Sequence, residues 1–265
     1  ERLVAPFFRR KGKAAMSGRV MPAMTQSVPH KLRNDDHPTS TNVLFSCDAV
    51  SKSFGNFKAV DDVSLNIRDR TLQALIGPNG AGKTSLFNIL SGEYETDTGP
   101  IYLEARKQSD TRPHVLSHQG TSRSFQITNL FSELTVEENV RLAVQSRHHQ
   151  ALNIWINAKS LAEVNSETQD LINFLGLSGL EDIIASDLSY GGQRLLEIGL
   201  AIATRPRVLL LDEPLVGLAA QERERIIALI KSLPDHTAIL LIEHDIDRVF
   251  EFSDIVTVMY EARVL

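Results

Sequence analysis

The sequence predicts an α/β fold, with buried parallel strands alternating with helices, a small antiparallel sheet near its start and a helical insertion in the middle. Three observations predict it. The apolar run Gln73–Ile76 leads directly into Gly77–Ser85 (GPNGAGKTS), and Thr84–Leu90 follows with one apolar face, which reads as strand, loop and helix. The runs Val208–Leu211, Ala238–Ile242 and Ile255–Met259 are continuously apolar, as strands covered on both faces are. Between about 135 and 180 the apolar spacing changes to a helical period.

The elements follow in order. Val43–Val50 and Val63–Ile67 read as strands of the antiparallel sheet around the turn Phe54-Gly55-Asn56, and Gly99–Leu103 reads as a further strand. Ser122–Gln126 leads into a loop. Thr135-Val136-Glu137-Glu138 is a capping-box start, with Val136, Val140 and Ala143 on one face, and Leu161–Leu175 is a second amphipathic helix. Ser189–Thr204 is a third, ended by Arg205-Pro206.

Composition narrows the function classes. The chain has 265 residues, 42% of them hydrophobic, enough for a sizeable core. A net charge of −5 gives no support to a general nucleic-acid-binding surface. The single cysteine, Cys47, excludes an internal disulfide framework. The longest apolar runs are too short to span a bilayer. Residues 1–40 carry a net charge of +5, leaving −10 on the remainder. Rich in Pro, Ser, Thr and Asn and without period, residues 1–42 read as a disordered basic tail. No apolar segment follows the basic residues as a secretory signal requires.

The loop carries the most specific chemistry. Gly77-Pro78-Asn79-Gly80-Ala81-Gly82-Lys83-Thr84-Ser85 fits G-x-x-x-x-G-K-[ST] in the strand–loop–helix context the motif needs. Its glycines let successive backbone N–H groups point at phosphate oxygens, and the helix N-terminus adds positive potential. Lys83 is placed to reach β- and γ-phosphates, and the Thr84 hydroxyl to ligate Mg²⁺. Asp212 and Glu213 end the strand Val208–Leu211, an arrangement that is costly unless the acids meet a cation or ligand. At the strand's C-terminal end they face the loop, where open α/β sheets place ligands. Asp212 then suits Mg²⁺, and Glu213 suits orienting and deprotonating an attacking water.

Leu188-Ser189-Tyr190-Gly191-Gly192-Gln193 opens a helix, and Ser189 lies 23 residues before Asp212. On its own, Ser189 is an N-cap. Together with its spacing, LSYGGQ resembles the LSGGQ signature of ABC-type ATPases, and the resemblance covers roughly residues 43–265. It implies an ABC cassette: a RecA-like P-loop core, a small antiparallel β-subdomain and an α-helical subdomain at about 127–205. It implies that Phe54 stacks on adenine and that Gln126 contacts Mg²⁺ or water and reports ligand state to the helical block. His244, 31 residues after Glu213, is implied to contact the γ-phosphate. It also implies a head-to-tail dimer in which Ser189, Gly191, Gly192 and Gln193 meet ATP bound to the P-loop of the other cassette.

The stretches Gly77–Gly92, Arg123–Phe131, Leu134–Val140, Leu188–Gly199 and Leu241–Phe250 are similar to ATP-binding subunits of branched-chain amino-acid uptake systems. The resemblance implies a Mg²⁺-dependent ATPase on the cytoplasmic face of a bacterial inner membrane. Its expected partners are a second cassette (a paralogue in preference to a second copy), two permease subunits and, indirectly, a periplasmic binding protein, with no nucleic acid. Transporters of urea, another amide or lipopolysaccharide, and non-transport ABC ATPases, are the alternatives. Trp155, in the helical block, reads as helix packing. Ala219 departs from the pattern, because many cassettes carry there an Asp that contacts the opposite site.

Overall fold

The computed structural model describes residues 43–108, 111–118, 120–124, 130–147, 158–233 and 237–265. Gln126, Trp155 and the basic tail lie outside the described residues. β1 (Val43–Phe54) and β2 (Phe57–Arg68) pair antiparallel around the two-residue turn Gly55-Asn56. They extend beyond the strands expected from hydrophobicity, because the long hairpin arms are half-exposed towards their tip. β4 (Ile101–Leu103) and β5 (Arg106–Lys107) complete a sheet ordered β2-β1-β4-β5.

The second sheet has the order β10-β9-β3-β8-β7-β6. β3 (Leu72–Ile76), β6 (Thr121–Ser124), β7 (Val208–Asp212), β8 (Ala238–Ile242) and β9 (Ile255–Tyr260) are parallel. β10 (Arg263–Val264) turns back antiparallel on β9. Every residue of β3, β7 and β8 is buried, so both faces of the sheet centre are covered.

Alternation along the central strands divides the core in two. Leu209, Leu211, Ile239 and Leu241 pack with α3 (Val136–Arg147), α4 (Ala158–Phe174), α5 (Tyr190–Ala203) and α6 (Ala220–Lys231). Val208, Leu210, Leu240 and Ile242 pack with α1 (Lys83–Leu90) and the antiparallel sheet through Leu86, Phe87, Phe45 and Val60. The short helix α7 (Ile246–Phe252) forms a third, small cluster through Val249 with Ala74 and Ile76 of β3, and its Phe252 also packs against the first core; α2 (Pro113–His118) follows β5.

The capping box at α3 is present: Glu138 accepts from Thr135 N at 2.9 Å, and Thr135 Oγ1 accepts from Glu138 N at 3.2 Å. The buried stripe of α3 runs through Val136, Val140 and Val144, with Ala143 only partly covered beside it. Buried Asn139 pins the preceding loop, accepting from Phe131 N at 2.9 Å and donating to the Phe131 and Thr135 carbonyls. Glu167 of α4 pairs with Arg147 of α3 and Arg205 beyond α5, tying the three helices together.

Cys47 is 2% exposed, on the core face of β1, and burial pushes its thiol up to about 12. Thiolate is the reactive form, so the native protein is expected to resist a maleimide at neutral pH and to label fully in denaturant. Mass spectrometry of the two samples checks this; rapid native labelling would contradict the packing of the antiparallel sheet on α1.

Candidate functional site

Strand register builds the site. β3 pairs with β8 so that Leu75 stands beside Ile242, and β7 pairs with β8 so that Asp212 stands beside Ile242. The residues immediately after these positions therefore leave the sheet edge together: the loop from Gly77, the pair Asp212-Glu213, and Glu243-His244. This is the carboxyl edge of an open parallel sheet, where such folds bind ligands.

The loop's shape depends on glycine at two points. Gly77 (φ 150°) passes Met259, whose carbonyl oxygen would stand 2.0 Å from an added Cβ. Gly82 (φ 95°) lies against β2, with Ala59 O at 2.2 Å from the same imagined atom. The β1–β2 hairpin is thus held beside the loop. Phe54, 47% exposed at its tip, packs edge-to-face against Tyr94 with ring centroids 5.3 Å apart. The Lys52 ammonium also stands over the Phe54 ring, 5.8 Å from its centroid.

Lys83 opens α1 and is 5% exposed. Its Nζ donates to the carbonyls of Gly77 at 2.7 Å and Pro78 at 3.0 Å, folding the ammonium back over the loop. Desolvation lowers its pKa, while the nearby Glu213 and Asp212 carboxylates work against that shift. One cation and two anions thus converge above the strand ends.

Asp212 is fully buried. Glu213, next along, has φ 47°, the left-handed region that a non-glycine residue enters at a cost. Its N–H donates to Ile242 O at 3.0 Å. Its carboxylate lies 2.6 Å from His244 Nε2. A ring nitrogen and a carboxylate oxygen thus share one short hydrogen bond. The acid and the histidine expected to serve the same reaction are in direct contact.

Two residues that the sequence reading missed hold this turn. Arg194 of α5 is buried and donates to the carbonyls of Asp212 at 2.8 Å, Glu213 at 3.1 Å and Pro214 at 3.4 Å. It also pairs with Glu197 at 2.8 Å, and burial raises the Glu197 carboxyl pKa against the pull of that arginine. Glu243, 2% exposed, accepts from Leu215 N at 2.9 Å and His244 N at 3.3 Å. Burial raises its pKa, and the two amide hydrogen bonds oppose the rise. A cation grips the turn's carbonyls while an anion grips its amides. Neither residue carries a motif of its own; the signal was a charged side chain directly beside an apolar one, Leu195 and Ile242 respectively.

Ser189 caps α5, accepting from Gly192 N at 3.1 Å. Within the chain, Ser189 and Gly191 bond to Glu222 of α6, and Gln193 donates to the Ser186 and Leu188 carbonyls. Tyr190, 53% exposed, lies over Gly217, an added Cβ there standing 3.2 Å from its ring.

The Asp212 carboxylate at the end of β7 and the Thr84 hydroxyl in the first turn of α1 are hard oxygens, the kind Mg²⁺ takes together with water and substrate phosphate.

A glycine-shaped loop at a helix N-terminus, a buried lysine and an acid pair at the carboxyl edge of a parallel sheet define a P-loop nucleoside-triphosphatase. The family model "ABC transporter" matches residues 60–216. The high-affinity branched-chain amino acid transport ATP-binding protein LivG of Salmonella typhimurium is 37% identical over 233 residues, 84% of this chain and 90% of the relative. The corresponding protein BraF of Pseudomonas aeruginosa is 34% identical over 230 residues, 84% of this chain and 90% of the relative. A crystal structure of the ADP conformation of an ATP-binding cassette of an ABC transporter superposes with a TM-score of 0.74 at 31% identity, covering 85% of this chain and 90% of that one. The chain belongs to the ABC transporter family and is the ATP-binding, ATP-hydrolysing cassette of a transporter.

Arg194→Met is expected to lose about 3–5 kcal/mol in urea unfolding, because it strands the Glu197 charge and frees three carbonyls. The folded fraction is expected to bind nucleotide while turning it over more slowly, as seen by fluorescent-ADP titration beside steady-state ATPase. Wild-type stability and turnover in this variant would contradict the clamp.

Proposed function

We propose that this cassette powers import of branched-chain or related amino acids, working with Mg²⁺ at the cytoplasmic face of a bacterial inner membrane. The observation that carries the reading is the Glu213–His244 contact beside Lys83 at the joined ends of β7, β8 and β3. Backbone amides of residues 77–85 bind the phosphates, with Lys83 leaving its loop carbonyls for the β- and γ-oxygens. Phe54 supports the adenine. Thr84, Asp212 and Gln126 hold Mg²⁺, which neutralises phosphate charge when bound. Glu213 takes the proton of the attacking water, and His244 holds its carboxylate and senses the γ-phosphate. A base oriented by a third group is the usual arrangement for activating a weak nucleophile.

The same reading divides residues 43–265 into the P-loop core, the antiparallel subdomain and a helical subdomain at about 127–205, with 1–42 as a basic tail. The association of α3, α4 and α5 through Val140, Leu171 and Leu195 supports the helical unit. A second cassette, paralogue or copy, completes each ATP site head to tail by presenting Ser189, Gly191, Gly192 and Gln193. The exposure of Ser189 and Tyr190 at the start of α5 supports this. Among the described residues no helix is long and apolar enough to cross a membrane, in keeping with docking on two permease subunits fed by a periplasmic binding protein. The LivG and BraF similarity supports amino-acid cargo.

In proteoliposomes holding the permeases, the second cassette and loaded binding protein, ATP is expected to drive uptake of labelled leucine and not of urea. Glu213→Gln is expected to lower turnover by roughly 10²–10⁴-fold while ATP still binds, the usual loss of a general base. Uptake of urea without leucine would overturn the cargo, and unimpaired turnover would overturn the base.

A further inference from the structure

The N-terminus of the signature helix is not open in this chain. Glu222, on the first turn of α6, reaches across to it with one carboxylate. Its Oε1 accepts from the Ser189 hydroxyl at 2.9 Å and from Gly191 N at 3.2 Å. Its Oε2 accepts from Ala219 N at 3.3 Å. The approach is close: a Cβ added to Gly191 would stand 2.4 Å from the Glu222 carboxyl carbon, so a side chain there would push the carboxylate aside. A negative group hydrogen-bonded to N-terminal amides and a cap hydroxyl is what a helix N-terminus binds when it binds phosphate. The Ser189 proton, given to Glu222, is withheld from any other acceptor, since a hydroxyl donates once.

We propose that Glu222 is an internal stand-in for phosphate, a positioning residue that holds the signature segment closed until the γ-phosphate of a nucleotide on the partner cassette displaces it. This rests on the proposed head-to-tail pairing. A carboxylate and a γ-phosphate repel each other across one helix end, so closure requires Glu222 to withdraw from Ser189 and Gly191. Its other oxygen holds Ala219, at the start of α6. Withdrawal therefore loosens the 214–222 segment at the moment the signature engages. That gives this chain a link between signature and α6 although Ala219 lacks a side chain able to make a polar contact of its own.

The test uses the Glu213→Gln chain with its natural second cassette, self or paralogue. It follows ATP–Mg²⁺-driven association by analytical ultracentrifugation. Glu222→Gln is isosteric, keeps one acceptor oxygen for Ser189 and Gly191, puts an NH2 in place of the other and removes the charge; it is expected to lower the ATP concentration for half-maximal association by about five- to tenfold, because charge-assisted hydrogen bonds are roughly twice as strong as neutral ones. ADP affinity of the separated chain and its melting temperature are expected to stay at the parent's values. Glu222→Ala, which removes the acceptor for Ser189 and Gly191 altogether, is expected to speed hydrogen exchange at Gly191 in the separated chain. An unchanged or raised ATP requirement in Glu222→Gln, with the parent associating in a Ser189-dependent way, overturns the stand-in alone. A parent that never associates at saturating ATP, or that associates without Ser189, overturns the pairing and the stand-in with it.

Discussion

The parallel pairing of β7 with β8, in the register that places Asp212 beside Ile242, is the constraint on which the site depends. A shift of one residue would turn every side chain of a strand to the opposite face and carry Glu213 away from His244. Burial holds the strand on both faces: Leu209 and Leu211 belong to one core and Val208 and Leu210 to the other. Hydrophobic packing far from any ligand thereby sets a 2.6 Å contact between two functional groups.

What burial sets coarsely, buried charge sets finely. The turn after β7 carries a residue in left-handed backbone geometry, and such strain persists only where surrounding contacts over-determine it. Arg194 and Glu243 supply those contacts from opposite sides, one from α5 and one from the end of β8. Arg194 also makes the signature helix a direct neighbour of the catalytic turn within one chain. Movement of α5 therefore bears on Glu213 through its backbone, while the tip of the same helix faces outward. Under the proposed head-to-tail pairing, rigid packing of this single helix would link partner contact to the Glu213 turn.

Much of this was legible in the sequence because it depends on local pattern. The phosphate loop is a contiguous motif, the central strands are continuous apolar runs, and Asp212-Glu213 stands where such a run ends. His244 became legible only through its spacing and family resemblance, since nothing about an isolated histidine announces a partner 31 residues away. The hairpins β4–β5 and β9–β10 were missed for a physical reason. Their two-residue turns are Glu104-Ala105 and Glu261-Ala262, with positive φ at all four residues, where Asn or Gly would have given the signal. α6 has a capping arrangement in which Ala219 offers only its backbone, so no N-cap side chain marked its start. Arg194, Glu243 and Glu222 act through contacts between elements distant in sequence, which no local pattern encodes.

The most direct measurement is a crystal structure of the Glu213→Gln chain with ATP and Mg²⁺. The expected result has the phosphates on the amides of residues 77–85, Lys83 Nζ moved from the Gly77 and Pro78 carbonyls to phosphate oxygens, and the β3–β8–β7 register unchanged. Nucleotide bound away from this sheet edge, or Lys83 still on its own loop carbonyls with ATP present, would contradict the account.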